Sequence, residues 1–169
     1  MNTLYTKVLL YAYPNIESLI DQIDELIEKK ALCSMETYVP CEDICNSIIK
    51  LIREKDMYIS LMVKIDDILD NLSQDERKCI EYKYFRVRSR EKFEGFDYTS
   101  KQYFRKQNKL LEKLKKRFEK KGINDELFKR EYLEINFFKS LLRRVKERES
   151  LIYKNRKKVR CEIPIKESA

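Results

Sequence analysis

Only two glycines, Gly95 and Gly122, and three prolines, Pro14, Pro40 and Pro164, punctuate 169 residues. Tight turns depend on these two residue types, so a chain this poor in them reverses direction only a few times and travels between reversals in long helices. Apolar residues that recur at three- and four-residue steps point the same way. The expectation is an all-α fold with almost no sheet: an N-terminal antiparallel helical hairpin, a helix-turn-helix-like unit and a long C-terminal helix.

Four segments follow from the pattern. Residues 1–70 form an acidic helical hairpin. Its first helix carries Ile16, Leu19, Ile20, Ile23, Leu26 and Ile27 on one stripe, with Pro14 suited to the first turn, and its second starts near Cys41 and runs through Ile44, Ile48, Ile49, Leu51, Ile52, Ile59, Leu61, Met62, Ile65, Ile68 and Leu69. Residues 71–122 form a basic unit of two helices. One is opened by the capping box Ser73-x-x-Glu76 and presents Cys79, Ile80, Tyr82, Tyr84 and Phe85; the other is opened by Thr99-x-x-Gln102 and stopped at Gly122. On that second helix Tyr103, Phe104, Gln107, Leu110, Leu111, Leu114 and Phe118 share a face. Between the two lies the charged connector "RVRSREKFEGFD", in which Gly95 marks a tight turn. A single C-terminal helix is expected over 123–150, beginning near Asn124 or Asp125, followed by a basic, flexible tail over 151–169.

Charge is polarised along the chain. The net charge is +8, yet residues 1–70 carry 7 basic and 13 acidic side chains, residues 101–121 carry 10 and 2, and residues 143–160 carry 9 and 2. Lys and Arg gathered on one surface gain affinity for polyanions by releasing counterions from phosphates. No stretch approaches the roughly 18 uncharged apolar residues of a membrane-spanning helix, and "MNTLYTKVLLYAYPN" has no small-residue cleavage site. A cytoplasmic protein without a membrane partner is expected. The odd, scattered set Cys33, Cys41, Cys45, Cys79 and Cys161 suits reduced thiols.

The chemistry available is narrow. There is no histidine, the commonest general base and metal ligand, and no glycine-rich loop to cradle a phosphate. Cys41-x-x-x-Cys45 with Cys33 lacks a fourth ligand, and Asp66, Asp67 and Asp70 fit a solvated face. The expectation is a protein that is not an enzyme, with no catalytic residue, no cofactor and no metal.

What remains is a capped helix, a connector with a glycine turn and a second capped helix with a basic outer face. A helix-turn-helix uses this order, presenting the start of its second helix to the major groove. Thr99, Ser100, Lys101, Gln102, Arg105, Lys106 and Lys109 have suitable chemistry: hydroxyls for phosphates, Gln for adenine, Arg and Lys for guanine or the backbone.

"LSQDERKCIEYKYF" followed by "TSKQYFRKQNKLLEKLKKRF" resembles the fourth conserved region of sigma-70-class sigma factors and the related phage late-gene transcriptional activators. Leu72, Ser73, Glu76, Arg77, Ile80, Tyr84 and Phe85 match its first part, and Ser100, Tyr103, Arg105, Leu110 and Leu114 its second. In place of the family's bracing helix stands "SREKFEGF", with Glu91, Phe93 and Phe96. The resemblance covers residues 72–118 and implies promoter or operator recognition in double-stranded DNA, and contact with RNA polymerase. The reading is a sequence-specific transcription regulator, with the acidic hairpin serving polymerase contact or a homodimer. Two alternatives stand beside it: a non-enzymatic helical interaction module from a phage or mobile element, and an RNA-associated helical protein.

Overall fold

The computed structural model describes residues 1–33, 40–85 and 100–161, and every regular element among them is helical. The α-helices are α1 (Thr3–Ala12), α2 (Ile16–Cys33), α3 (Cys41–Asp70), α4 (Gln74–Ile80), α5 (Ser100–Lys120), α6 (Asp125–Arg130) and α7 (Asn136–Cys161). Among the described residues no helix is long and apolar enough to cross a membrane. The expected turn at Gly95, the bracing segment "SREKFEGF" and Thr99 lie outside the described residues.

The centre of the molecule is α1, which the periodicity does not announce. Val8, Leu9, Leu10 and Ala12 are all fully buried, because α7 packs on one side of the helix and α5 on another. A helix apolar on several faces has no stripe to read. Its start is fixed by Asn2, whose side chain accepts from the Leu4 N–H at 2.9 Å, while the Asn2 N–H donates to Asp125 Oδ1 at 2.5 Å. Pro14 sits in a 3₁₀ turn, Tyr13–Asn15, that leads into α2, where a missing N–H costs least.

Helices α2 and α3 run antiparallel along each other. The Tyr13 hydroxyl donates to Asp66 near one end, and Lys55 donates to both Asp24 oxygens at 2.6 and 2.7 Å further out. Burial pushes the Tyr13 hydroxyl's pKa up, and the Asp66 carboxylate pushes it further. The buried residues of α3, Tyr58, Leu61, Ile65, Ile68 and Leu69, all lie in its second half.

The capping box at Ser73 forms in both directions: Glu76 N–H to Ser73 Oγ at 3.3 Å and Ser73 N–H to Glu76 Oε2 at 3.1 Å. A wider π-type turn, Glu81–Phe85, prolongs α4. It buries Tyr84 but leaves Tyr82 half exposed, off the predicted face. On α5, Tyr103, Gln107, Leu110, Leu111, Leu114 and Phe118 face inward as expected, whereas Phe104 is exposed. Phe104 lies two turns before Leu111 on nearly the same line of the helix, so its exposure reflects its place near the N-terminal end of α5 and not its face.

Gly122 ends α5 at φ +81°. The Ile123 N–H reaches Phe118 O at 2.9 Å and the Gly122 N–H reaches Glu119 O at 3.0 Å, the two bonds of a Schellman cap. Nothing lies within 4 Å of a Cβ added there, so glycine is needed for its conformation and not for space.

The single C-terminal helix expected over 123–150 is two helices. Asn124 caps α6 through the Leu127 N–H, the chain turns through Tyr132–Glu134 with Ile135 extended, and α7 begins at Asn136. In one straight helix residues ten apart are about 15 Å apart along the axis, yet the Phe128 and Phe138 rings lie 6.3 Å apart, with Tyr132 at 5.6 and 5.2 Å from them. The break lets three rings meet each other, Tyr5 at 4.3 Å and Tyr58 at 5.9 Å. Beyond Leu151, where a flexible tail is expected, α7 continues to Cys161.

Phe128→Ala would leave a cavity where α1, α6 and α7 meet and is expected to cost about 3–5 kcal/mol in chemical denaturation. Gly122→Ala is expected to cost about 1 kcal/mol with no packing change. Gly122→Asn should cost less than Gly122→Ala, since Asn tolerates the left-handed region better.

Candidate nucleic-acid interface

Helix α5 is held lengthwise by its neighbours. Glu76 of α4 takes Lys113 Nζ at 2.7 Å on each carboxylate oxygen, and further along Tyr82 meets the Tyr103 ring edge-on at 6.2 Å. These pairings set α4 and its π turn antiparallel to α5. At the other end the Arg117 guanidinium donates to the carbonyls of Ile68 and Asn71 at 3.0 and 2.9 Å, satisfying the C-terminal end of α3, and Lys121 pairs with Asp67.

With the inner face committed, Gln102, Arg105, Lys106, Lys109, Lys113, Lys116 and Lys120 are exposed on the outer one. At 100° per residue they fall within about 60° of a single line, ~27 Å long. The two acidic residues of α5 lie off that line: Glu112 accepts from the Thr3 hydroxyl at 3.3 Å, and Glu119 pairs with the Met1 amine. Of the residues singled out from the sequence, Ser100 and Lys101 are the first two of α5, and Gln102, Arg105, Lys106 and Lys109 occupy the first half of the stripe. Thr99 lies outside the described residues.

The charge count overstates what this helix offers. Lys113, Arg117 and Lys121 are engaged with α3 and α4, and Lys115 lies 3.8 Å from Glu112. Arg105, Lys109, Lys116 and Lys120 take part in no ion pair among the described residues. The second basic block is also partly spent. Arg143 lies 3.9 Å from Glu147, and the Arg148 guanidinium lies over the Tyr11 ring, 5.6 Å from its centroid.

Beside the stripe an open groove of about 340 Å³ runs between α4 and α5, with Lys106, Lys109 and Lys113 on one wall, Asp75 and Glu76 on the other and Cys79 at its base. Burial opposes ionisation of Glu76, but the Lys113 ammonium and the Ser73 N–H outweigh it and hold the carboxyl below the usual range. The Cys79 thiol is pushed up by burial, with Lys106 acting against the shift. The sequence marks Glu76 as a cap; its hold on Lys113, thirty-seven residues on, has no local signal.

Burial raises the Tyr103 hydroxyl's pKa to about 12, and the Tyr84 hydroxyl and Gln107 Nε2 are buried without a hydrogen-bond partner among the described residues. Among the described residues no three of Cys, Asp and Glu gather as a metal site. The groove offers electrostatic and hydrogen-bonding contacts. Comparison of the chain with family models, curated proteins and solved structures gives no match. The fold class, all-α among the described residues, comes from the element order itself.

Glu76→Gln keeps an N3 group able to complete the cap but loses the pair with Lys113. A carboxyl held low in the folded state stabilises above its unfolded pKa, and that contribution vanishes as pH falls through the folded value. The stability gap between wild type and Glu76→Gln should be about 0.5 kcal/mol at neutral pH and close in acid, as measured by urea denaturation across pH.

Proposed function

We propose that the outer face of α5 binds double-stranded DNA, and that the protein is a transcription regulator of the sigma-like helix-turn-helix type. The observation that carries this reading is the exposed stripe from Gln102 to Lys120, with Glu112 at its edge and Glu119 further round, engaged by Thr3 and the Met1 amine respectively. No acidic residue occupies the first turn of α5, so the partial positive charge of the helix start adds to Arg105 and Lys106 instead of being offset. Gln102 and Arg105 have the chemistry to read base edges there. Lys109, Lys116 and Lys120 have the reach and spacing to follow a phosphate backbone.

The second wall of the groove sharpens the assignment. Asp75 and Glu76 stand along the flank of the stripe that carries Lys106 and Lys113 and repel phosphates there, which leaves the line of Arg105, Lys109, Lys116 and Lys120 to approach the duplex. On this reading RNA polymerase or a second copy of the chain meets the acidic α2 and α3, away from the DNA.

Retention of random duplex DNA by the purified protein, followed by sequencing at two salt concentrations, tests the proposal. A discrete motif should be enriched, and each phosphate contact should contribute about 0.9 to the slope of log affinity against log salt. Arg105→Glu with Lys109→Glu should abolish retention while the far-ultraviolet circular dichroism is unchanged. Unaltered binding by that double variant, or duplex RNA displacing duplex DNA, would overturn the reading.

A further inference from the structure

Helix α3 carries two apolar faces. Tyr58, Leu61, Ile65 and Ile68 are spent on the core. A second set, Ile49, Ile52, Ile59 and Val63, stays 44%, 43%, 37% and 59% exposed. Their spacing, with exposed Cys45 before them and exposed Asp56 between them, is the alternating four-and-three step of a coiled-coil seam: Cys45, Ile49, Ile52, Asp56, Ile59, Val63. A seam with this repeat is complementary to another helix, and about 27 Å of it is present.

The charges along it select the occupant. Arg53 lies beside the seam and Asp56 on it, and neither takes part in an ion pair among the described residues. Two copies of α3 laid antiparallel, centred level with Glu54, bring Ile49 against Ile59 of the second copy and Cys45 against Val63. Asp56 then lies beside Ile52 and within reach of Arg53 of the second copy, twice by symmetry. Arg53 and Lys55 each come near their own copy on the two flanks of the seam; Lys55 is already held by Asp24 at 2.6 Å, and the Arg53 pair is answered by the two Asp56 carboxylates. Parallel, in-register pairing would instead set Asp56 against Asp56.

We propose that the exposed face of α3 is a homodimer seam, formed by antiparallel pairing with α3 of a second copy and fixed in register by the two Arg53–Asp56 ion pairs. The contact is isologous, so it closes at two copies. It stands independently of DNA binding, because the seam is made of α3 residues and the basic stripe of α5 residues.

Sedimentation equilibrium of the full chain tests it, with circular dichroism to follow folding. The wild type should be dimeric at micromolar concentration. Ile52→Lys should be monomeric with unchanged helicity, since the side chain it replaces is exposed in the single chain. Arg53→Asp should weaken dimerisation by about tenfold or more, and the swap Arg53→Asp with Asp56→Arg should restore it. Under mild oxidation Val63→Cys should give a covalent dimer, and adding Cys45→Ser should abolish it. A monomeric wild type, a dimer indifferent to Ile52→Lys, or a charge swap that fails to rescue Arg53→Asp would each overturn the proposal. So would a wild-type dimer cross-linked through Cys45 to Cys45.

Discussion

The burial of α1 is the constraint on which the other helices depend. A ten-residue helix is below the roughly 12–15 residues at which an isolated helix holds in water, so Thr3–Ala12 stays helical only because α5 and α7 enclose it. In return Val8, Leu9 and Leu10 are removed from water entirely, each worth about 1.5–3 kcal/mol by area. The enclosure fixes α5 and α7 relative to each other. It also decides what α5 can show to solvent: with Leu110, Leu111, Leu114 and Phe118 turned inward, the outward positions are those at which the lysines stand.

What the sequence discloses depends on how many faces of a helix are buried. α2 is covered on one side, so its apolar residues fall on a stripe and its extent is legible. α1 is covered on more than one side, and "VLLYAY" therefore reads as an apolar run without a period. The break between α6 and α7 is hidden for a related reason. Leu127, Phe128, Tyr132, Leu133, Ile135, Phe137 and Phe138 are dense enough to satisfy a helical stripe, and only the meeting of Phe128 with Phe138 shows that the chain folds back. Caps are local, and Ser73, Gly122 and Asn124 accordingly all act where their spacing indicates.

The candidate site was legible to the same degree. Gln102, Arg105, Lys106 and Lys109 form one exposed line because a helix converts their three- and four-residue spacing into a face. Partner choice over long separations was not legible. Ten basic residues in 101–121 look equivalent in the sequence, but Arg117 closes the end of α3 and Lys113 answers Glu76. Such engagement lowers the charge that Lys113, Arg117 and Lys121 present to solvent, and it follows from α3 and α4 lying alongside α5, which no local spacing announces.

The two faces of α3 carry the same tension between stability and exposure. A helix whose only task is to cover α2 gains nothing from isoleucine on its far side, where glutamate or lysine would be solvated without cost and form helix as readily. Four apolar residues in heptad register there raise the free energy of the isolated chain in water and lower it only when a matching helix is present. Asp56 in the middle of the seam weakens the contact, since a carboxylate removed from water is costly unless paired. A polar group at such a position distinguishes one alignment from the others, because only an alignment that supplies a cation offsets its burial. The same helix supplies that cation one turn back, at Arg53, so the alignment that satisfies Asp56 is contained in the sequence of α3 itself.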